Sequence, residues 1–309
     1  MDTSAWTRAL NKFGIDDPFE PGRTAAHMRK ALHEAAPHLD VTPPPLESVR
    51  DLTIPGPAGD IPARLYIPNG STAPAPCVLF CHGGGYFVGD LHSHDALCRR
   101  LAAIGGVRVL AVDYRLSPEH VFPAAVEDVL AAFDWLAGEG EGAAEVGADP
   151  ARLAVAGDSA GGGLAAMLAQ ARRGQVRFQL LIYPLLQMVE RRKSKLKALE
   201  GHIFSAIALD QIARYYFADE KDASDKRASP LLEDDLAGLP PAYIAAAELD
   251  PLLDEGQAYR DRLIAAGVPV TYKLGKALPH SYFNLTALLP GAKALVDKAA
   301  LALGDGLRD

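Results

Sequence analysis

From Cys77 to the carboxyl end, short apolar runs alternate with longer helical ones, and few folds accommodate that rhythm. The runs "CVLFCH", "VRVLAVDY", "RLAVAGD", "FQLLIYP", "PAYIAAAELD" and "VPVTYKLG" read as strands. Between them "HDALCRRLAAIG", "PAAVEDVLAAFDWLAG", "SAGGGLAAMLAQARR" and "PLLDEGQAYRDRLIAAG" read as helices, and a last helix falls within "GAKALVDKAALALG". Strands apolar on both faces and separated by helices predict a mostly parallel central sheet with helices on both faces. Right-handed crossovers restrict the order in which the strands lie side by side. Ahead of the alternation, "ESVRDLTIPGPAGDIPARLYIPN" predicts two extended segments joined by a Pro/Gly turn, a hairpin at the sheet edge. The fold class is α/β.

Two stretches stand outside the rhythm. The first 40 or so residues are helix-like, with Trp6, Leu10, Phe13, Ala25, Met28 and Leu32 at mixed three- and four-residue spacing. A polar and helical excursion runs from about Leu185 to Phe217. Packed together, the two would make a helical cap. The expected organisation is 1–45 as amino-terminal cap helices, 46–184 as the first part of the core, 185–220 as a cap insertion and 221–309 as the second part of the core.

With 49% hydrophobic residues in 309, the chain can bury a large core without disulfides. Its formal charge of −8 argues against nucleic acid, which calls for a concentrated positive surface. The local exception, "RRKSKLK" from Arg191 to Lys197, reads as a solvated helix face, with steering of an acidic substrate as the alternative. Cys77, Cys81 and Cys98 form no disulfide framework, since the first two lie four residues apart on one predicted strand. No apolar run approaches the roughly 20 residues of a membrane span, and the amino terminus lacks the pattern of a secretory signal. The expected compartment is the cytoplasm.

In a sheet of this kind ligands bind beyond the carboxyl ends of the strands. Ser159 stands there, in Gly157-Asp158-Ser159-Ala160-Gly161, with a strand before it and a helix after it. This is the context of a G-x-S-x-G nucleophile elbow, in which small residues make the turn and the turn exposes the serine. A serine that merely caps the helix is the plain alternative. "HGGGYFVGD" follows the strand "CVLFC", and its glycines lack the Lys-Ser ending of a phosphate loop. They suit an exposed-backbone anion site, with the Gly83 and Gly84 amides aimed at an oxyanion and the Ala160 amide completing a three-donor hole.

A nucleophilic serine needs a base, and the base an orienting acid. Of the two histidines after Ser159, His202 lies in the excursion and His280 follows the last strand, so His280 is the candidate base. For the acid, Asp250 ends the strand "YIAAAELD" and is also placed to cap the next helix; Glu248 is the rival, and Asp254 falls in the turn into that helix. His92, Ser93, His94 and Asp95 crowd two histidines and a carboxylate together, but no further ligands stand at zinc spacings, so no metal is expected.

Taken together, "HGGGYFVGD", "VDYRLSPEHVFPAAVEDV", "GDSAGG", "ELDPLLDEG" and "LPHSYFN" resemble the hormone-sensitive-lipase-like carboxylesterases of the α/β-hydrolase fold, from about Cys77 to the carboxyl end. The resemblance implies Ser159 as nucleophile, Asp250 as acid in preference to Glu248, His280 as base, and Gly83, Gly84 and Ala160 as the oxyanion hole. It implies a helical cap over an acyl pocket and no cofactor. It implies hydrolysis of small, short- to medium-chain acyl esters through an acyl-enzyme, with dimer formation through the last strand's edge as a family habit. This chain departs from the family pattern at His280-Ser281-Tyr282, where the family has His-Gly-Phe, and in the basic segment of the excursion. An amidase or deacetylase of a small acylated amine would use the same residues, and a binding protein on a hydrolase scaffold would be expected to have lost one of them.

Overall fold

A computed structural model describes residues 24–138, 140–189 and 206–308. The residues Trp6, Leu10 and Phe13, the basic segment 191–197 and His202 lie outside the described residues. One eight-stranded sheet runs through the molecule in the order β1-β2-β4-β3-β5-β6-β7-β8. The expected edge hairpin is β1 (Ser48–Ile54) and β2 (Ile61–Ile67), which pair antiparallel; β2 joins β4 (Arg108–Val112) antiparallel as well. All remaining neighbours are parallel: β4 with β3 (Ala75–Cys81), then β5 (Ala148–Asp158), β6 (Phe178–Ile182), β7 (Ala242–Leu249) and β8 (Val270–Pro279).

Every residue of β4 and β6, and all but one of β3, is buried, because both sheet faces are covered. Successive side chains go to opposite faces. Cys77, Leu79 and Cys81 of β3 therefore enter one apolar cluster, with helices α3 (Ala124–Ala137), α5 (Ala160–Ala171) and α7 (Leu253–Ala265). Val78 and Phe80 enter the other, with α2 (Asp95–Gly105) and α8 (Pro290–Asp305). Each large apolar side chain so buried contributes about 1.5–3 kcal/mol. The three cysteines are free thiols inside this packing, and burial pushes Cys77 up to about 12.

Three features differ from the pattern expected of the sequence. A short helix, α4 (Glu141–Val146), stands in a glycine-rich stretch that carries too few apolar residues to announce it. Strand β5 begins at Ala148, earlier than its apolar run, and β8 continues past Gly275 to Pro279 after a register shift against β7. Outside the alternation, α1 (Ala25–Leu39) is capped by Thr24 and buries Ala25, Met28, Ala31, Ala35 and Leu39 along one stripe. Helix α6 (Ala206–Tyr216) packs on the loop that follows β3: Tyr216 stacks on Tyr86 at 3.8 Å. Among the described residues no helix is long and apolar enough to cross a membrane.

The chain leaves β3 for β4 on one side and returns to β5 on the other. In sheets of this kind ligands bind where the direction of winding reverses, which here falls beyond the carboxyl ends of β3 and β5. His82–Gly85 follow β3 and Ser159 follows β5 at that point.

Candidate active site

Strand pairing brings the distant residues together. Leu249 of β7 pairs with Pro279 of β8, so the next residues along these two parallel strands, Asp250 and His280, emerge side by side. Likewise Asp158 pairs with Ile182 of β6, and the Ser159 amide donates to the Ile182 carbonyl at 2.8 Å. From these positions His280 Nδ1 lies 2.7 Å from Asp250 Oδ2, and His280 Nε2 lies 2.9 Å from Ser159 Oγ. All three residues are at most 5% exposed. With an ionised Asp250, the proton is on Nδ1 and the Nε2 lone pair faces the serine hydroxyl.

Ser159 occupies the position before α5, with φ 53° and ψ −119°, and its side chain makes no capping hydrogen bond. The plain helix-cap reading is therefore set aside. A backbone of this kind in a non-glycine residue costs about 1–3 kcal/mol and persists only where its surroundings enforce it. Here the Ser159 carbonyl accepts from the Gly163 and Leu185 amides at 3.1 and 2.9 Å. The flanking glycines let the chains touch: a Cβ at Gly161 would run into the Cys81 and His82 carbonyls, and one at Gly157 into the Gly161 carbonyl.

Hydrogen bonds separate the three candidate acids. Exposed Glu248 accepts the Ala277 amide at 2.7 Å and so braces β8. Asp254 lies in the first turn of α7. Asp250 uses Oδ1 to accept the Leu252 amide at 2.8 Å while Oδ2 faces the histidine, so turn-forming and orienting roles coexist in one carboxylate. Ser281, in place of the expected glycine, takes φ 65° and begins a 3₁₀ turn at Tyr282–Asn284. Tyr183 lies against the His280 ring, with centroids 4.7 Å apart.

The glycine loop differs from expectation at one residue. The Gly83 amide donates to Asp158 Oδ1 at 2.8 Å, so it is committed within the protein and not offered to an oxyanion. Sequence reasoning missed this because Asp158 belongs to another strand. The amides of Gly84, Gly85 and Ala160 donate to no protein acceptor among the described residues. The crowded histidines also separate: His92 stacks on His33, His94 turns to Asp158 at 3.2 Å, and Asp95 binds Arg64 and Arg99. Among the described residues no group of His, Cys, Asp and Glu is arranged to hold a metal ion.

One buried acid near the site carried no separate signal in the sequence beyond its place in "DPLLDEG". Glu255 of α7 accepts the Leu186 amide at 2.8 Å. Burial, opposed only by its hydrogen bonds and reinforced by the Asp250 charge, holds its carboxyl well above the ordinary value. The buried Glu255 carboxyl thus favours its protonated form more than an exposed one does.

A model of the α/β-hydrolase fold family matches residues 78–284. The chain is 42% identical to the carboxylic ester hydrolase LipN of Mycobacterium tuberculosis, over 95% of this chain and 78% of that protein. It is 43% identical to the esterase LipI of the same organism, over 94% of this chain and 90% of the relative. A solved structure of a hyperthermophilic esterase from Pyrobaculum calidifontis superposes with a TM-score of 0.89 at 34% identity, covering 98% of this chain and 96% of the other.

Proposed function

The chain belongs to the hormone-sensitive-lipase-like family of α/β hydrolases, and on that premise we propose that it is a carboxylic ester hydrolase with Ser159 as nucleophile, His280 as general base and acid, and Asp250 as the orienting acid. The observation that carries this reading is the unbroken line of hydrogen bonds from Asp250 through His280 to Ser159. Ser159 Oγ attacks the ester carbonyl while His280 Nε2 takes its proton. Asp250 keeps the imidazole in the tautomer that can accept, and stabilises the imidazolium that forms. His280 then hands the proton to the departing alkoxide, leaving an acyl group on Ser159. Water, deprotonated by the same nitrogen, attacks that acyl group and frees the acid.

The tetrahedral intermediate carries a negative oxygen. We assign its donors to the Ala160 amide at the start of α5 and to Gly84 and Gly85, the neighbours of the committed Gly83. Each such donor is worth about a hundredfold to a thousandfold in rate. The helix start adds a favourable dipole.

Helices α1 and α6 act as the cap of an acyl pocket. Support comes from α6, whose Tyr216 and Ile212 press on the glycine loop at Tyr86 and Gly85. On the other side, Arg29 of α1 donates to the Phe87 carbonyl at 2.7 Å. A site covered in this way suits short and medium acyl chains. The free thiols suit a reducing cytoplasm, and the outer edge of β8, unpaired among the described residues, is where a second copy would add strand to strand.

The test is turnover of p-nitrophenyl acetate, butyrate and octanoate by the wild type and by Ser159→Ala. The expected result is fastest turnover on the short esters and a loss of about 10⁴-fold or more in the variant. Octanoate turned over fastest would overturn the chain-length reading, and an active variant would overturn the nucleophile.

A further inference from the structure

Asp158, immediately before Ser159, is a buried carboxylate that the reaction above does not use. Its oxygens reach three separate parts of the site. Oδ1 accepts the Gly83 amide at 2.8 Å, on the glycine loop. Oδ2 accepts the Asn284 Nδ2 amide at 3.0 Å, in the turn that follows His280. His94 Nε2 lies 3.2 Å from Oδ1, with both side chains at most 7% exposed.

The protonation of His94 follows from its partners. Ser93 Oγ donates to the Asp90 carbonyl at 3.0 Å and accepts the Asp90 amide at 2.9 Å, so it turns a lone pair toward His94 Nδ1, 2.9 Å away. Nδ1 therefore carries a hydrogen. Nε2 lies between the Asp158 carboxylate, which favours a proton there, and the Gly83 amide 3.3 Å away, which shares its hydrogen between Asp158 Oδ1 and this nitrogen. The other titratable groups that interact with the pair are Asp90, Asp40 and His82, and the buried Cys81, Cys98, Tyr114 and Tyr183, which burial and the Asp158 charge hold protonated. His82 donates Nδ1–H to the Gly83 carbonyl at 2.8 Å. Burial would raise the Asp158 carboxyl, but the His94 charge and the hydrogen bonds from His94 and Gly83 outweigh it and hold it below its ordinary value. Burial would lower His94, but the charge and hydrogen bond of Asp158, with help from Asp90, raise it.

We propose that Asp158 is a positioning residue: charge-paired with His94, its carboxylate fastens the glycine loop and the histidine loop to the strand that carries the nucleophile. The pairing matters chemically, because a lone negative charge beside Ser159 would oppose the developing oxyanion, whereas a neutralised one fixes geometry without opposing it. By spending the Gly83 amide on Asp158, the fold aims the following amides of the loop. The proposal rests on the reading of Ser159 and His280 as the reacting pair.

The experiment measures kcat, KM and the pH profile on p-nitrophenyl butyrate for Asp158→Asn, Asp158→Ala, His94→Gln and Asn284→Ala, with Ser159→Ala in parallel and thermal melts of each. Asp158→Asn keeps the shape, and Asn284 can turn its Oδ1, which has no partner among the described residues, toward the new amide. This variant removes charge alone. The expected result is a kcat fall of about tenfold for Asp158→Asn and about 10²–10³ for Asp158→Ala, the size of one lost oxyanion donor, with KM within about threefold. Loss of the His94 proton weakens the clamp at alkaline pH, so the alkaline limb of the wild type moves to lower pH in Asp158→Asn and disappears in His94→Gln. Folded Asp158 variants with kcat within about threefold of wild type would overturn the proposal, as would an alkaline limb unchanged in His94→Gln. If Ser159→Ala is inactive while the Asp158 variants behave as wild type, the clamp alone fails. If Ser159→Ala retains turnover, the nucleophile reading fails first.

Discussion

Ser159 and Ser281 both hold a left-handed backbone, with φ of 53° and 65°, yet the turns around them are built in different ways. Ser159 is clasped between a buried strand and a buried helix, and two glycines bring carbonyls into van der Waals contact beneath it. Ser281 follows an edge strand whose residues are mostly half-exposed or exposed, and a single 3₁₀ turn follows it. The first turn is enforced by packing that extends through the core. The second is set by one strand pair, Leu249 with Pro279, and by the hydrogen bonds of the side chains it delivers. Strain at the elbow is thus part of the fold, whereas strain at the histidine turn is local and removable.

The largest effect is expected at the hydrogen bond that joins the histidine turn to β7. Asp250→Asn keeps an acceptor for the Leu252 amide but presents an NH₂ or a neutral oxygen to His280, which favours the wrong tautomer. kcat should fall by about 10⁴-fold with little change in melting temperature, while Glu248→Gln stays within about threefold. Steady-state kinetics of the two variants side by side check this. Next comes the elbow itself. Gly161→Ala drives a Cβ into two backbone carbonyls, an overpacking worth about 1–3 kcal/mol of stability that also displaces Ser159. Melting temperature and kcat should fall together there, unlike in Asp250→Asn.

A third change probes the packing behind both turns. Glu255 has its folded value raised by burial, so the folded protein keeps a proton that the unfolded chain releases near the ordinary value of 4.5. Wild-type stability from this group is therefore present below about 4.5 and lost as pH rises toward the folded value. Glu255→Gln preserves the acceptor for the Leu186 amide without that loss, and its melting temperature should gain on the wild type between pH 5 and pH 8. A difference constant across that range would mean the carboxyl is ionised in the fold. The smallest effect belongs to Ser281→Gly. It relieves about 1–2 kcal/mol of left-handed strain and returns about 0.5–1 kcal/mol to the unfolded chain, for a net stabilisation of about 0.5–1 kcal/mol by denaturant titration, with kcat within twofold.

The same contrast explains what the sequence made legible. The elbow was readable because its causes are local: an apolar run, small residues and a helix, all within "RLAVAGDSAGGGLAAML". His280 was readable from chain order. The choice between Asp250 and Glu248 was not, since both end the same strand and the decision lies in the bulged register of β8, where Ala277 claims Glu248. Gly83 was misjudged as an oxyanion donor for a similar reason: its amide is taken by a carboxylate 75 residues away. His94 stood out only as part of a crowded cluster weighed for a metal, and Asn284 only as the end of "LPHSYFN", because the contacts they make exist only once three loops meet. The sheet itself was read nearly whole, apart from the extended start of β5 and the short helix α4, where apolar content is low.

The central claim is that Ser159 is the atom-transferring nucleophile, armed by His280 and Asp250. Diethyl p-nitrophenyl phosphate tests it most directly, because attack forms a P–O bond to the nucleophile and expels one p-nitrophenolate. The account predicts one diethylphosphoryl group per chain, located on Ser159 by peptide mass spectrometry, with esterase activity lost in proportion to labelling and labelling slowed at least a hundredfold in Asp250→Asn. A label on another residue, or full labelling of Ser159 with activity retained, would contradict it.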